Sequence, residues 1–208
     1  MAAQSSQVKG KIGVLIEAHF DETEFRRFNE FFPAHDYEVE YITHLWGQDK
    51  LTFKGNDFNQ EVTVTREVSD VKPADYKAII LIGGYAMDRL RYQEHPEPGR
   101  PNRAPAVEFL RRAVKAMNNS NLKIGTICHS LWLFCAAPET LTGRKVTCAH
   151  NIMGDVENAG GTLVFYDDQL IDTYVDGNLI TGRHPGVVEV FMKTFLEEIE
   201  KLAPQPVM

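Results

Sequence analysis

Three continuous apolar runs, each short enough for a strand and each followed by a helical pattern, constrain this chain most. Lys11 to Glu17, Lys77 to Gly84 and Lys123 to Ile127 show no polar alternation, so each reads as a strand buried on both faces. Between them lie helical spacings. Phe25, Phe28, Phe31 and Phe32 mark one side of a helix over about Glu22 to Phe32, and a second runs from about Ala104 to Met117. Tyr37 to Thr43 alternates as a strand. Leu51 to Thr65 holds a turn at Lys54 to Asp57 and reads as a hairpin or wandering edge. Further on come strands at Lys145 to Cys148 and Thr162 to Phe165 around a helix at Ile152 to Ala159. A hairpin turning at Asp176-Gly177 follows, then a final helix from Val187 to Leu202. This alternation implies an α/β fold, a mostly parallel central sheet sandwiched by helices.

With 208 residues, 43% of them hydrophobic, the chain suits one domain with an ordinary core. The expected division is a disordered leader over 1–9 and a single domain over 10–203. No apolar run is long enough to span a bilayer, and the first residues lack the basic start and apolar core of a signal peptide. A net charge of -7 repels a nucleic-acid backbone. The basic pairs Arg26-Arg27 and Arg111-Arg112 read as solvated helix faces. Neither nucleic acid nor membrane is expected as a partner. Three cysteines, an odd number without metal-type spacing, point to a reducing compartment, and the chain reads as cytoplasmic.

In a parallel sheet, ligands gather at the carboxyl ends of the strands. Cys128-His129 stands at one such end, where a strand gives way to a helical pattern (Leu131, Phe134, Cys135), with the small Thr126 and Ser130 on either side of the bend. A sulfur at a helix N-terminus is expected to have a lowered pKa and to react as thiolate. A second strand ends in Gly83-Gly84, whose bare backbone N–H groups can approach a substrate oxygen. The first strand runs into an acidic loop and helix start: Glu17, His19, Asp21, Glu22 and Glu24. Carboxyl, oxyanion donor and nucleophile together are the parts needed for addition to a carbonyl. Glu17, His19, Asp21, Tyr85, His150, Arg183 and His184 are the candidate pocket residues. Imidazoles and a carboxylate suit zinc, but loop histidines are more often ordinary polar residues, and no metal is expected. No phosphate-cradling glycine loop is visible, and no cofactor is expected. Cys135 and Cys148 read as core. The proline-rich stretch from Tyr92 to Pro105 reads as a surface loop, either part of a pocket rim or a decoration, and Trp46 and Trp132 as pocket lining or, more often for such aromatics, core.

Several segments, in this order, carry a family resemblance: Phe20 to Glu24, Ile82 to Gly84, Gly125 to His129, Leu141 to Val146, Asp155 to Gly160, and Val175 to Thr181 followed by Arg183. From about Lys11 to Leu202 the chain resembles the PfpI-type intracellular protease and protein deglycase family. That family lies within the class I glutamine amidotransferase-like superfamily, which implies a flavodoxin-like sheet with the cysteine on a nucleophile elbow. The resemblance makes Cys128 the nucleophile and Glu24 the carboxyl hydrogen-bonded to its sulfur. It makes His129 the acid/base, and the backbone N–H groups of Gly84 and His129 the oxyanion hole. In the PfpI branch an acid from a neighbouring subunit orients the histidine. The matching position here is Asp88, one methylene shorter than the family's glutamate, within a homodimer or hexamer. The activity implied is cysteine-dependent chemistry on small carbonyl or amide substrates, as a glyoxalase, a deglycase or a hydrolase. A non-catalytic stress protein using Cys128 as a redox sensor is the alternative.

Overall fold

A computed structural model describes residues 7–120 and 122–201. The leader expected over 1–9 falls outside the described residues for 1–6, and so does Leu202 of the final helix. Lys9 is already tied down, its N–H donating to Asp36 O at 2.8 Å.

β1 (Gly10–Leu15) is the first buried run and leads through a tight loop into α1 (Glu22–Ala34). Asp21 caps that helix by accepting the N–H of Glu24 at 3.0 Å. The acids in its first turn suit the helix dipole, and Phe28 and Phe32 face the core. β2 (Tyr37–Ile42) returns beside β1, and β3 (Leu51–Lys54) with β4 (Glu61–Val64) forms the expected antiparallel hairpin. β5 (Ala78–Leu81), buried at all four positions, leads to the short α2 (Ala86–Leu90). The Tyr92–Pro105 stretch is indeed irregular, and α3 (Pro105–Ser120) then presents a continuous apolar stripe.

β6 (Lys123–Ile127) matches its sequence expectation residue for residue and runs through a turn to α4 (Trp132–Cys135). β7 (Lys145–Val146), α5 (Met153–Asn158) and β8 (Thr162–Leu163) form a small parallel unit off the main sheet. β9 (Phe165–Tyr166) and β10 (Gln169–Leu170) make a minor hairpin, and β11 (Thr173–Asp176) and β12 (Leu179–Gly182) the expected one. α6 (Val188–Glu200) closes the described chain.

The main sheet has the order β11-β12-β6-β5-β1-β2, parallel except for β11. Counting only its parallel strands gives the order 2-1-3-4-5, the doubly wound flavodoxin-like arrangement. α1 and α6 pack together on the sheet, with the rings of Phe28 and Phe191 at 6.4 Å and those of Phe32 and Phe195 at 6.3 Å. α3 packs on β6 with α2 and α4 against it.

Register decides where the chemistry collects. Leu15 pairs with Leu81, Leu81 with Thr126, and Gly182 with Ile127. The residues that follow these positions, Glu17, Gly83, Cys128 and Arg183, therefore leave the sheet at one edge. That edge includes the place between β1 and β5 where the winding direction reverses, the usual ligand crevice of such sheets. Among the described residues, no helix is long and apolar enough to cross a membrane.

Candidate active site

Cys128 sits at the end of β6 with φ +60°, a left-handed conformation that strains any residue with a Cβ. Two backbone bonds hold it there. Its N–H donates to Gly182 O at 2.9 Å, and its carbonyl accepts Ala149 N–H at 3.0 Å. Ser130 supports the bend from beneath, its Oγ accepting Ile127 N–H at 2.7 Å. The bend turns the sulfur back toward its own neighbour, so that Sγ lies 2.9 Å from His129 Nδ1. Adjacent residues on a regular helix could not meet in this way.

The second arm comes from β5. Gly84 has φ +70°, and a Cβ there would lie 2.3 Å from His19 O and 2.6 Å from Asp21 N, so only glycine fits. A Cβ on Gly83 would meet Glu24 Oε1 at 2.6 Å and the Cys128 Cβ at 2.8 Å. The glycine pair thus lets α1 and the elbow close on each other. The main-chain N–H groups of Gly84 and His129 act on the sulfur in the direction that favours its negative form.

Glu24 is fully buried. Its Oε2 accepts Gly83 N–H at 2.6 Å, while Oε1 has no hydrogen-bond partner. Burial first, then the charge of Asp21, hold its carboxyl well above the usual carboxylate range. The expected hydrogen bond from Glu24 to the cysteine sulfur is absent, and His129 Nδ1 occupies that partnership instead.

The expectation of a lowered thiol pKa is overturned. Burial pushes the Cys128 thiol up, and the charges of Glu24 and Asp21 push in the same direction, against the two backbone N–H groups. The helix after the elbow starts only at Trp132 and has four residues, too short to supply an effective dipole. Burial is the largest of these causes. His129 is shifted below its ordinary value by burial, partly offset by the Asn151 side chain and by Asp21. A neutral imidazole beside a neutral thiol is therefore the resting pair at neutral pH.

Around this centre Tyr85 stacks on His129 at 5.9 Å, and Trp132 lies 5.0 Å from the same ring. Asp21 caps α1 and is itself raised by burial. His19 (φ +62°) meets the exposed Phe58 (φ +60°) edge-on at 5.6 Å. Glu17 turns back on Ala18 N–H at 2.8 Å and Arg89 at 3.3 Å, at the base of the acidic loop. His150, Arg183 and His184 line a cleft of about 320 Å³ next to the elbow. A larger cleft of about 510 Å³, between His44 and Val71, contains none of the site residues. Trp46, read as pocket lining or core, packs against His44 and Tyr92.

Asp88 does not reach His129 within the chain. Its carboxylate accepts from Arg91 Nε at 2.9 Å, while the buried Nε2 of His129 has no partner. Among the described residues no three His, Cys, Asp or Glu side chains come together as a metal site. Cys148 is fully buried and its thiol is pushed up to about 12, first by burial; Cys135 is half-buried, at about 11. Asn151 is the site residue that the sequence reading missed, because an exposed asparagine in a loop carries no signal of its own.

Comparison with known proteins agrees with this fold. The chain is 33% identical over 187 residues to protein/nucleic acid deglycase 2 of Escherichia coli, covering 89% of this chain and 95% of that one. General stress protein 18 of Bacillus subtilis is 29% identical, covering 92% and 98%. Deglycase PfpI of Pyrococcus furiosus is 29% identical, covering 84% and 93%. Among solved structures, DJ-1 of Schizosaccharomyces pombe superposes with a TM-score of 0.69 at 20% identity, covering 94% of this chain and all of that one. The model of the DJ-1/PfpI family matches residues 10–198, which is nearly the whole α/β domain, and the chain belongs to that family.

Proposed function

We propose that this chain is a cysteine-dependent enzyme that acts on small reactive carbonyls and on amines glycated by them, with Cys128 as nucleophile. The observation carrying this reading is Cys128 Sγ at 2.9 Å from His129 Nδ1, with the N–H groups of Gly84 and His129 acting on the same sulfur. The deglycase names of two relatives favour the same chemistry.

A neutral imidazole can take the thiol proton as the sulfur bonds to the carbonyl carbon, so no resting thiolate is required. The displaced electron pair becomes an alkoxide facing the two backbone N–H groups, and the imidazolium returns the proton to give a hemithioacetal. On a glycated amine, the C–S bond forms as the C–N bond breaks and the amine leaves with a proton. Moving the remaining carbon-bound proton to the neighbouring carbonyl carbon, through Glu24 or His129, turns the hemithioacetal into its isomeric thioester. Water then releases a 2-hydroxy acid and the free thiol. Amide cleavage through an acyl-enzyme would use the same groups.

His129 completes its hydrogen bonding, on this reading, through Asp88 of a second copy of the chain. Three free cysteines and no disulfide among the described residues suit a reducing compartment such as the cytoplasm. The redox-sensor alternative is disfavoured by the raised thiol, because peroxide attacks thiolates.

Turnover of methylglyoxal and of its amine adducts tests the proposal. Cys128→Ala lowers kcat/KM by at least about a thousandfold, and Glu24→Gln by about a hundredfold. Mass spectrometry of trapped wild-type protein finds the adduct on Cys128. Full activity in Cys128→Ala refutes the mechanism. A wild type that turns over nothing, while mild peroxide converts Cys128 to sulfinate, replaces it with the sensor reading.

A further inference from the structure

Moving the Cys128 proton to His129 creates a cation on a half-buried ring. Burial opposes that cation and already holds His129 below its ordinary value. Asp88 gives no help within the chain, since its carboxylate is held by Arg91. Asp21 stands much closer to the elbow.

Asp21 is part of the site's framework. Its N–H donates to Gly83 O at 3.3 Å, and its N lies 2.6 Å from where a Cβ on Gly84 would stand. Gly83 in turn fits between Glu24 and Cys128: a Cβ there would meet Glu24 Oε1 at 2.6 Å and the Cys128 Cβ at 2.8 Å. The glycine pair therefore gathers Asp21, Glu24 and Cys128 around one backbone turn.

The two carboxyls have unlike surroundings. Glu24 is fully buried and its Oε1 has no partner. Asp21 is 8% exposed, and its Oδ1 accepts the Glu24 N–H at 3.0 Å at the head of the 13-residue α1. Free N–H groups and the helix dipole favour negative charge there. Glu22, the third acid of this turn, is engaged elsewhere, its Oε1 accepting Asn59 N–H at 2.8 Å. Asp57 of the β3–β4 turn and His184 after β12 are the other charged groups acting on Asp21. Where neighbouring carboxyls differ in this way, one keeps the proton and the other the charge.

We propose that Asp21 holds the negative charge of this pair and Glu24 the proton, and that the Asp21 charge steadies the His129 imidazolium while the thiol proton rests on it. The assignment rests on the carbonyl chemistry above. As Sγ bonds to the carbonyl carbon, its proton passes to His129 and then to the alkoxide, and Asp21 neither gains nor loses one. Because it acts through His129 and Glu24, Asp21 is a positioning residue. The electrostatic directions agree with this role. After burial, the charge of Asp21 is the largest influence raising Glu24. Burial lowers His129, and Asn151 and Asp21 oppose that shift. On Cys128, Asp21 adds to burial and Glu24 in raising the thiol. One charge thus disfavours a standing thiolate and favours the imidazolium, which suits proton transfer in step with C–S bond formation.

Asp21→Asn removes the charge and keeps the cap, since asparagine caps a helix about as well as aspartate; Asp21→Ser serves if that variant folds poorly. The first measurement needs no turnover. In a Glu24→Gln background, where Asp21 is the only acid left of the pair, Cys128 is alkylated with neutral iodoacetamide at about pH 8 and followed by peptide mass spectrometry. Adding Asp21→Asn is expected to speed that alkylation about threefold or more, because the thiol ionises more readily. The second measurement is the pH profile of kcat/KM on methylglyoxal. Asp21→Asn alone is expected to lower its maximum about tenfold and to move both limbs to lower pH, as His129 and Glu24 each lose a proton earlier. A merely structural role would lower the profile without moving it. Alkylation that is unchanged or slower overturns the assignment, and so does faster alkylation with an unmoved profile. Faster alkylation in a protein whose wild type turns over no carbonyl upholds the charge on Asp21 and sinks the carbonyl chemistry instead.

Discussion

Burial holds the Glu24 carboxyl well above the usual carboxylate range, and this has a consequence for stability. Its folded pKa lies above the unfolded value because ionisation would bury a charge whose only bond is one backbone N–H. A group raised in this way contributes stability fully below the unfolded carboxylate range, near pH 4, and loses it as pH climbs through the folded pKa. Glu24→Gln keeps the shape and cannot ionise. Thermal melts of wild type and Glu24→Gln are therefore expected to lie close together near pH 4 and to separate as pH rises, with the variant the more stable. A separation that stays constant with pH would mean that Glu24 titrates normally. At this scale the sequence was half informative. The elbow and the glycine pair stood out because a cysteine and a glycine pair at strand ends are unusual, while the role expected of Glu24 came from the family resemblance. It misjudged the thiol, because burial is a property of the assembled site and α4 turned out too short to oppose it.

At the scale of elements, the β3–β4 hairpin does more than decorate an edge. Its turn grips the start of α1. Asn56 N–H donates to Phe20 O at 2.9 Å, Asn56 Oδ1 accepts Glu22 N–H at 3.2 Å, and Asn59 N–H donates to Glu22 Oε1 at 2.8 Å. Asp21 and Asn56 thus cap one helix end from two sides, and that end carries Glu24. Asn56→Ala leaves a helix N–H without its acceptor, at a cost of about 1 kcal/mol. For a chain of this size the expected drop in Tm is about 2–4 °C, read by calorimetry. An unchanged Tm would show that the turn merely rests on the helix. The sequence marked this hairpin by its Lys54–Asp57 turn but could not tell where it docks, since long-range pairing leaves no local trace. Buried strands were legible for the opposite reason: β5 is apolar throughout and β6 is buried at every position, with α3 and α6 packed on β6. β7 and β8 were expected from the sequence as longer strands, whereas the two-residue β9–β10 hairpin is too short for any period to show.

For the whole molecule the open question is the unpartnered Nε2 of His129. A buried imidazole nitrogen without a hydrogen bond leaves the ring free to swing away from the sulfur. Two acids of the chain are engaged elsewhere: Asp155 accepts Trp132 Nε1 at 2.8 Å, and Asp88 is held by Arg91 at 2.9 Å. The Asp88 side chain is 44% exposed, so a second copy of the chain can meet it, and Tyr85 and Tyr92 stand exposed nearby. An acid arriving from outside would orient His129 and favour its cationic form during the reaction, the role that carboxylates commonly play for catalytic histidines. Two measurements decide the matter. Light scattering is expected to find a dimer or larger assembly whose dilution to monomers lowers specific activity. Asp88→Asn is expected to lower kcat about tenfold or more and to shift the pH profile of kcat, while Asp88→Glu retains most of the rate. A strict monomer with full activity removes Asp88 from the mechanism, and His129 must then be steadied from within the chain by Asn151 and the rings of Tyr85 and Trp132.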